Sequence, residues 1–137
     1  MKHTSQSHEK FVNEWIGGKA EQWDCLFFAV KNNNADMLSY LLNTVKLGSR
    51  VNDHKKETGC TLLHIAAENG NERIIFELAG DEPGFGADVT AEDFLGNTPL
   101  HVAALKKQPS AARFLMSLGA QIETRNQMGN TPLHLSV

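Results

Sequence analysis

Cysteine is nearly missing from this sequence, and the two that occur, Cys25 and Cys60, have no paired spacing. A disulfide-stapled scaffold is excluded as the basis of the fold, and a reducing, intracellular setting is the simpler expectation. A basic excess is missing too: 13 Lys and Arg stand against 16 Asp and Glu, a formal net charge of −3. A general nucleic-acid binder is usually basic, so direct nucleic-acid binding is not expected. No apolar run approaches the ~20 residues of a membrane span. The N-terminus, residues 1–8, has no apolar signal-peptide core. Also lacking are a Gly-rich phosphate loop, a metal-protease helix motif and a nucleophile elbow. The adjacent acids Asp81-Glu82 and Glu92-Asp93 fall in loops with no pocket to act in. No catalytic residue and no cofactor is assigned, and the chain is expected not to be an enzyme.

What is there is repetition. Gly96-Asn97-Thr98-Pro99-Leu100-His101-Val102-Ala103-Ala104 returns as Gly129-Asn130-Thr131-Pro132-Leu133-His134-Leu135-Ser136-Val137. An earlier, altered copy is Gly59-Cys60-Thr61-Leu62-Leu63-His64-Ile65-Ala66-Ala67. Threonine suits a helix N-cap, because its hydroxyl accepts a bond from the first turn. Proline suits the next position, where its fixed φ helps and its missing N–H costs nothing. Leucine opens an apolar stripe, and the alanines let neighbouring helices approach. The preceding glycine permits the positive φ of a tight turn.

A degenerate first copy, Asp24-Cys25-Leu26-Phe27-Phe28-Ala29-Val30, keeps the leucine and alanine spacing but has Phe27 where the others have histidine. Asp24 is expected to replace threonine as N-cap. The copies start near 24, 61, 98 and 131, at intervals of 37, 37 and 33 residues. Second amphipathic helices follow each of the first three copies, at Ala35–Thr44, Glu72–Leu78 and Ala111–Met116, and after the latter two comes a glycine exit and an extended piece. The extra residues of the longer repeats fall in loops, where length is cheap.

With this motif and period, the chain resembles the ankyrin-repeat family. Thr98-Pro99-Leu100-His101-Val102-Ala103-Ala104, with Gly119-Ala120 later in the unit, is close to the family consensus. The resemblance implies an all-α ankyrin solenoid of helix-turn-helix units with β-hairpins, three repeats plus a partial fourth. The expected division is residues 1–22, a polar N-terminus with a short capping helix, and residues 23–137, the repeat domain. Phe11 with Trp15, and Val12 with Ile16, supply the apolar face of that helix, which ends at Gly17-Gly18. It covers the end of the stack or grips a partner. Gln108-Pro109, where most ankyrin repeats carry Gly-His, is similar to repeats of the inhibitor-of-NF-κB type.

Six histidines invite a metal site. His64, His101 and His134 occupy one repeat position, so stacking sets them ~10 Å apart, too far for shared ligation. A structural role, tying the helix start to backbone or threonine, is expected, and no metal is assigned. Cys25 reads as a small buried hydrophobe, and nothing near either cysteine signals an activated thiol.

The resemblance implies a partner-binding face of hairpin tips and first helices, and no shared catalytic residues. The candidate tips supply His54, Lys55 and Lys56, then Glu92, Asp93, Phe94 and Leu95, then Arg125, Gln127 and Met128; Glu68 and Asn69 come from a first-helix end. Phe94 and Leu95 either anchor a partner or pack on the adjacent hairpin. Charges of both signs favour a specific protein partner over a polyanion. Asn52 stands where ankyrin repeats often carry asparagine, a residue hydroxylated in some family members; support of the hairpin is the preferred role. Val137 falls one helix into the fourth repeat, so the natural chain is expected to continue, the alternatives being a frayed end or cover by another chain. The expected function is protein binding, as a cytoplasmic or nuclear regulatory or adaptor module. Alternatives are inhibitor-of-NF-κB-like masking of a transcription factor, or a targeting domain of a larger enzyme.

Overall fold

The computed structural model describes residues 19–80 and 85–136. The expected capping helix, His3, His8 and the Asp81-Glu82 pair lie outside the described residues. Seven α-helices are described: α1 Lys19–Lys31, α2 Ala35–Asn43, α3 Leu62–Asn69, α4 Glu72–Ala79, α5 Pro99–Leu105, α6 Pro109–Ser117 and α7 Pro132–Ser136, with a 3-10 turn at Gly48–Arg50.

The helix starts follow the sequence chemistry. Thr61 and Thr98 cap α3 and α5, and Pro99 takes the first position of α5. Asn34 and Asn71 cap α2 and α4, accepting from the Met37 N–H at 3.0 Å and the Ile74 N–H at 3.1 Å. One expected cap is corrected. Asp24 caps nothing, because α1 begins at Lys19 and carries Asp24 in its interior. Residues 19–23, Lys-Ala-Glu-Gln-Trp, include no proline or glycine to stop a helix, so it extends upstream of the repeat motif.

The helices form two layers. First helices α1, α3, α5 and α7 contact one another in sequence, as do second helices α2, α4 and α6, and α1, α3 and α5 each pack on the second helix of their own repeat. The core between the layers holds Leu26, Leu38, Leu41, Leu42, Leu62, Leu63, Ile74, Ile75, Leu78 and Leu115. Burying each such side chain contributes about 1.5–3 kcal/mol. Ala66, Ala67 and Ala103 are fully buried, and their small size is what lets α3 and α5 lie side by side. Phe76 and Phe114 stack across α4 and α6 at 6.2 Å.

Three kinds of polar tie join consecutive repeats. The histidine ring is the first. His64 Nδ1 accepts from the Thr61 N–H at 3.1 Å while its Nε2 lies 2.7 Å from the Asn97 carbonyl of the next repeat. His101 does the same with Thr98 at 3.1 Å and Asn130 at 2.9 Å. Both rings are buried, and the acceptor role of Nδ1 places the proton on Nε2. The second tie caps the preceding first helix: Asn69 donates to the Val30 and Lys31 carbonyls, both at 3.2 Å, and Gln108 to the Glu68 carbonyl at 3.0 Å. The third runs between loops. Asn52 donates to the Gly86 carbonyl at 3.1 Å and accepts from the Asp88 N–H at 2.7 Å, which gives it the supporting role expected of it.

The expected hairpins are turned loops, with no β-strand among the described residues. His54 and Thr61 form a single antiparallel bridge. Each loop closes through a pair of backbone bonds across its tip: Lys55 N–H to Cys60, Asp93 N–H to Asn97 and Asn126 N–H to Asn130, all at 2.9 Å, and the N–H groups of Gly59, Gly96 and Gly129 to the Lys55, Asp93 and Asn126 carbonyls at 2.7, 3.0 and 2.9 Å. Carboxylate and amide oxygens replace further ladder rungs. Asp93 Oδ1 accepts from the Leu95 and Asn97 N–H groups, and Asn126 Oδ1 from those of Met128 and Asn130. Gly59 sits at φ +77°, and a Cβ there would meet the Phe94 ring at 2.5 Å, so the turn needs glycine twice over.

Ile74 is fully buried on α4, whereas Leu133 on α7 is largely exposed. Ile74→Ala is expected to destabilise the fold by about 2–5 kcal/mol in urea unfolding, and Leu133→Ala by less than ~0.5 kcal/mol. Equal losses would contradict the assigned core.

Candidate protein-docking surface

The loops and the first helices present a continuous surface because the loops are bonded to each other. The Phe94 N–H donates to the Thr58 carbonyl at 2.9 Å, and the Gln127 N–H to the Leu95 carbonyl at 3.0 Å. These bonds bring the three candidate tips into one row. Along that row Phe94 is 52% exposed, Leu95 61% and Met128 81%. Phe94 fills both roles considered for it. One part of its ring covers Gly59 and lies edge-on to His54 at 5.8 Å, and the rest faces solvent.

The other candidate residues divide by whether their polar atoms are already engaged. His54, Lys56, Glu92 and Gln127 are exposed side chains on the tips, as is Glu57 beside them. Arg125 holds the Gly129 carbonyl at 2.8 Å. Asp93 and Asn69 serve inside the stack, the first as acceptor for its own loop and the second as cap for α1. Glu68 pairs with Lys106 of the next repeat at 3.8 Å, a half-exposed ion pair that contributes little to stability. Leu105, at the end of α5, adds an exposed apolar side chain that sequence reasoning did not single out.

A further group was missed in the first repeat. Trp23 stacks on Phe27 at 5.3 Å, and Lys31 Nζ and Lys55 Nζ lie 5.6 and 4.9 Å from the Phe27 ring centroid. The signal was present in the replacement of histidine by Phe27, but the lysines come from two different repeats and only the fold joins them. At the far end of the stack, a groove of about 750 Å³ lies over Leu100, Ala104, Ala112 and Met116, walled by Ile122 and Leu133. It is the open apolar face expected of a partial fourth repeat.

Burial raises the Cys60 thiol above its ordinary value; the Thr58 hydroxyl bond opposes this, and Asp93 and Glu68 add to the rise. A thiol held protonated in this way is a poor nucleophile. Cys25 is fully buried, as expected for a small hydrophobe. Among the described residues no group of three or more His, Cys, Asp or Glu side chains is placed to hold a metal ion. No described helix is long and apolar enough to cross a membrane.

Comparison with known families decides the relationship. Residues 1–93 match the model for ankyrin repeats (3 copies), and residues 84–136 match the model for ankyrin repeats (many copies). The chain belongs to the ankyrin-repeat family. Ankyrin repeats mediate protein–protein interaction, and relatives of this ankyrin chain carry regulatory names. It is 35% identical to human NF-kappa-B inhibitor zeta over 90 residues, 63% of this chain and 12% of that protein. It is 39% identical to human protein phosphatase 1 regulatory subunit 27 over 62 residues, 45% of this chain and 38% of that one. An ADP-ribosylation factor GTPase-activating protein of Arabidopsis thaliana, AGD2, is 38% identical over 61 residues, 44% of this chain and 7% of its own length. The ankyrin segment thus spans well under half of each of these relatives.

The tie made by His64 has a pH dependence. Burial, the largest effect, holds the His64 ring below its ordinary value of 6.5, against the raising influence of the Asn97 carbonyl and Asp93. The unfolded chain therefore binds a proton near 6.5 that the folded chain refuses, and acid favours unfolding. The contribution is full above about pH 6.5 and is lost as pH falls below it. Urea midpoints measured at about pH 7.5 and about pH 5.5 are expected to drop with acidification, and to drop less in His64→Gln. An unchanged slope in the variant would show that His64 is not the titrating group.

Proposed function

We propose that this chain is a non-catalytic protein-binding module of a regulatory or adaptor protein. A protein partner docks on the loop tips and the first-helix face, and the repeat domain, residues 23–137, follows an N-terminal segment, residues 1–22. The observation that carries this reading is the row of exposed apolar side chains at successive tips, Phe94, Leu95 and Met128, none of which the core uses. Apolar anchors with polar neighbours such as Lys56, Glu92, Arg125 and Gln127 match the make-up of specific interfaces. Charges of both signs along the row suit a particular protein rather than a polyanion. The compartment is cytoplasmic or nuclear, a reading supported by Cys25 and Cys60 standing outside any disulfide.

A narrower version is masking of a transcription factor. It is supported by the 35% identity to NF-kappa-B inhibitor zeta over 90 residues, and by Gln108, whose side chain reaches the Glu68 carbonyl and lies over Gly70. A targeting role beside a catalytic domain is the other alternative, supported by the match to part of a GTPase-activating protein.

Chemical cross-linking of the folded chain in cells, followed by mass spectrometry, would supply partners for direct titration. F94D/L95D is expected to weaken a true partner by about tenfold or more, since apolar anchors dominate interface energy. Because Phe94 also packs on Gly59 and His54, L95D/M128D, which spares that contact, is the control: it should weaken the same partner while its urea midpoint stays near that of the unmodified chain. A partner that binds F94D/L95D and M128D as tightly as the original chain would sink the tip assignment. Titration against an NF-κB dimer separates the masking version, which requires saturable binding.

A further inference from the structure

The first repeat departs from the other three at the histidine position. His64 and His101 are 1% and 0% exposed, each closing its repeat against the next through a loop carbonyl. Phe27 replaces them and has no such bond to give. Its ring is half-buried, with Trp23 stacked against it and two ammonium groups over it. Lys31 comes from the last turn of α1 and Lys55 from the loop of the following repeat. Neither forms an ion pair with an acid among the described residues. A groove of about 510 Å³ is lined by the ring together with Trp23, Asp24, Lys31 and Lys55, and a second of about 540 Å³ shares Trp23, Asp24 and Lys55 with it. Exposed Phe28 lines the first. The indole N–H of Trp23 is buried without a hydrogen-bond partner among the described residues.

Two like charges drawn to one ring repel each other, and an anion set between them relieves both. The aromatic floor gains from an apolar cover. We infer that this corner is a docking point for a partner-protein segment that carries a single carboxylate side chain beside an apolar one. The inference rests on the reading of the chain as a protein-binding module and names one chemistry that the module selects. The carboxylate lies between Lys31 and Lys55, and the apolar neighbour lies on Phe27 and Phe28. The first groove sets Asp24 against Lys31 and Lys55, one net positive charge, and the second balances Asp24, Asp53 and Glu57 against Arg50, Lys55 and Lys56, so one carboxylate is matched and a run of acids is not. The contrary account is that Lys55 over Phe27 merely substitutes for the histidine tie and holds the loop.

Short random peptides displayed on phage, selected against the folded chain with K31E/K55E as counter-selection, test it. Enriched peptides are expected to share one Asp or Glu next to Leu, Ile, Val or Phe. A synthetic copy should lose about tenfold in affinity by calorimetry when its acid becomes the matching amide, and about tenfold or more against K31E/K55E, because both remove the charge pairing. K31Q/K55Q serves if the charge reversal disturbs folding, and its urea midpoint should match the unmodified chain. The inference is overturned if nothing is enriched, if enriched peptides lack the acid–apolar pair, or if both lysine variants bind the peptide unchanged. A lowered midpoint in K31Q/K55Q without peptide preference assigns Lys55 to holding the loop and overturns it too. Partner binding that survives K31E/K55E and is lost in F94D/L95D overturns this corner alone and leaves the protein-binding reading standing.

Discussion

A neutral imidazole with each nitrogen committed to a different repeat is the interaction on which this stack depends. His64 Nδ1 takes the N–H of its own cap residue, and its Nε2 gives a proton to a carbonyl of the next unit. Only a ring with one donor and one acceptor on opposite sides can do both. Charging the ring would remove the acceptor, and removing the ring would strand a buried N–H and a carbonyl. The tie therefore fixes where α3 starts and how far the next loop lies from it. His101 repeats the arrangement one unit later, which carries the register along the chain.

Around that tie the helices pack by ordinary means. Alanines at the contact of α3 and α5 bring the backbones close, and leucines and isoleucines fill the space between the layers. Asparagine 69 and glutamine 108 then reach back to the carbonyls that end the preceding first helix. The described ties run between adjacent repeats, as expected of a one-dimensional stack.

Much of this was legible in the residues. Thr98-Pro99-Leu100-His101 announces a cap, a helix start and a core position in four letters, and the structure places each accordingly. The second helices begin within a few residues of where their apolar spacing put them. The start of α1 was not legible, because a run of helix-favouring residues ahead of Asp24 overrides a cap residue that no longer has a turn before it. Asp93, at a tip, and Asn69, at a first-helix end, read as contacts for a partner because they are polar and lie on the expected face. Asp93 is spent on N–H groups two and four residues on, in a turn of its own loop. The Asn69 amide is spent on carbonyls up to 39 residues away, and composition carries no trace of that. The cluster at Phe27 escaped notice for the same reason, since Lys55 reaches it from another repeat.

The bonds between loop tips have a consequence for association itself. The Phe94 and Gln127 N–H groups are already held by the loops beside them. A flexible tip would have to be ordered by whatever lands on it, at a cost in conformational entropy that weakens the complex. Here part of that ordering is supplied by the neighbouring loops, so the backbone at Phe94 and Gln127 is restrained whether or not anything lies on the tips.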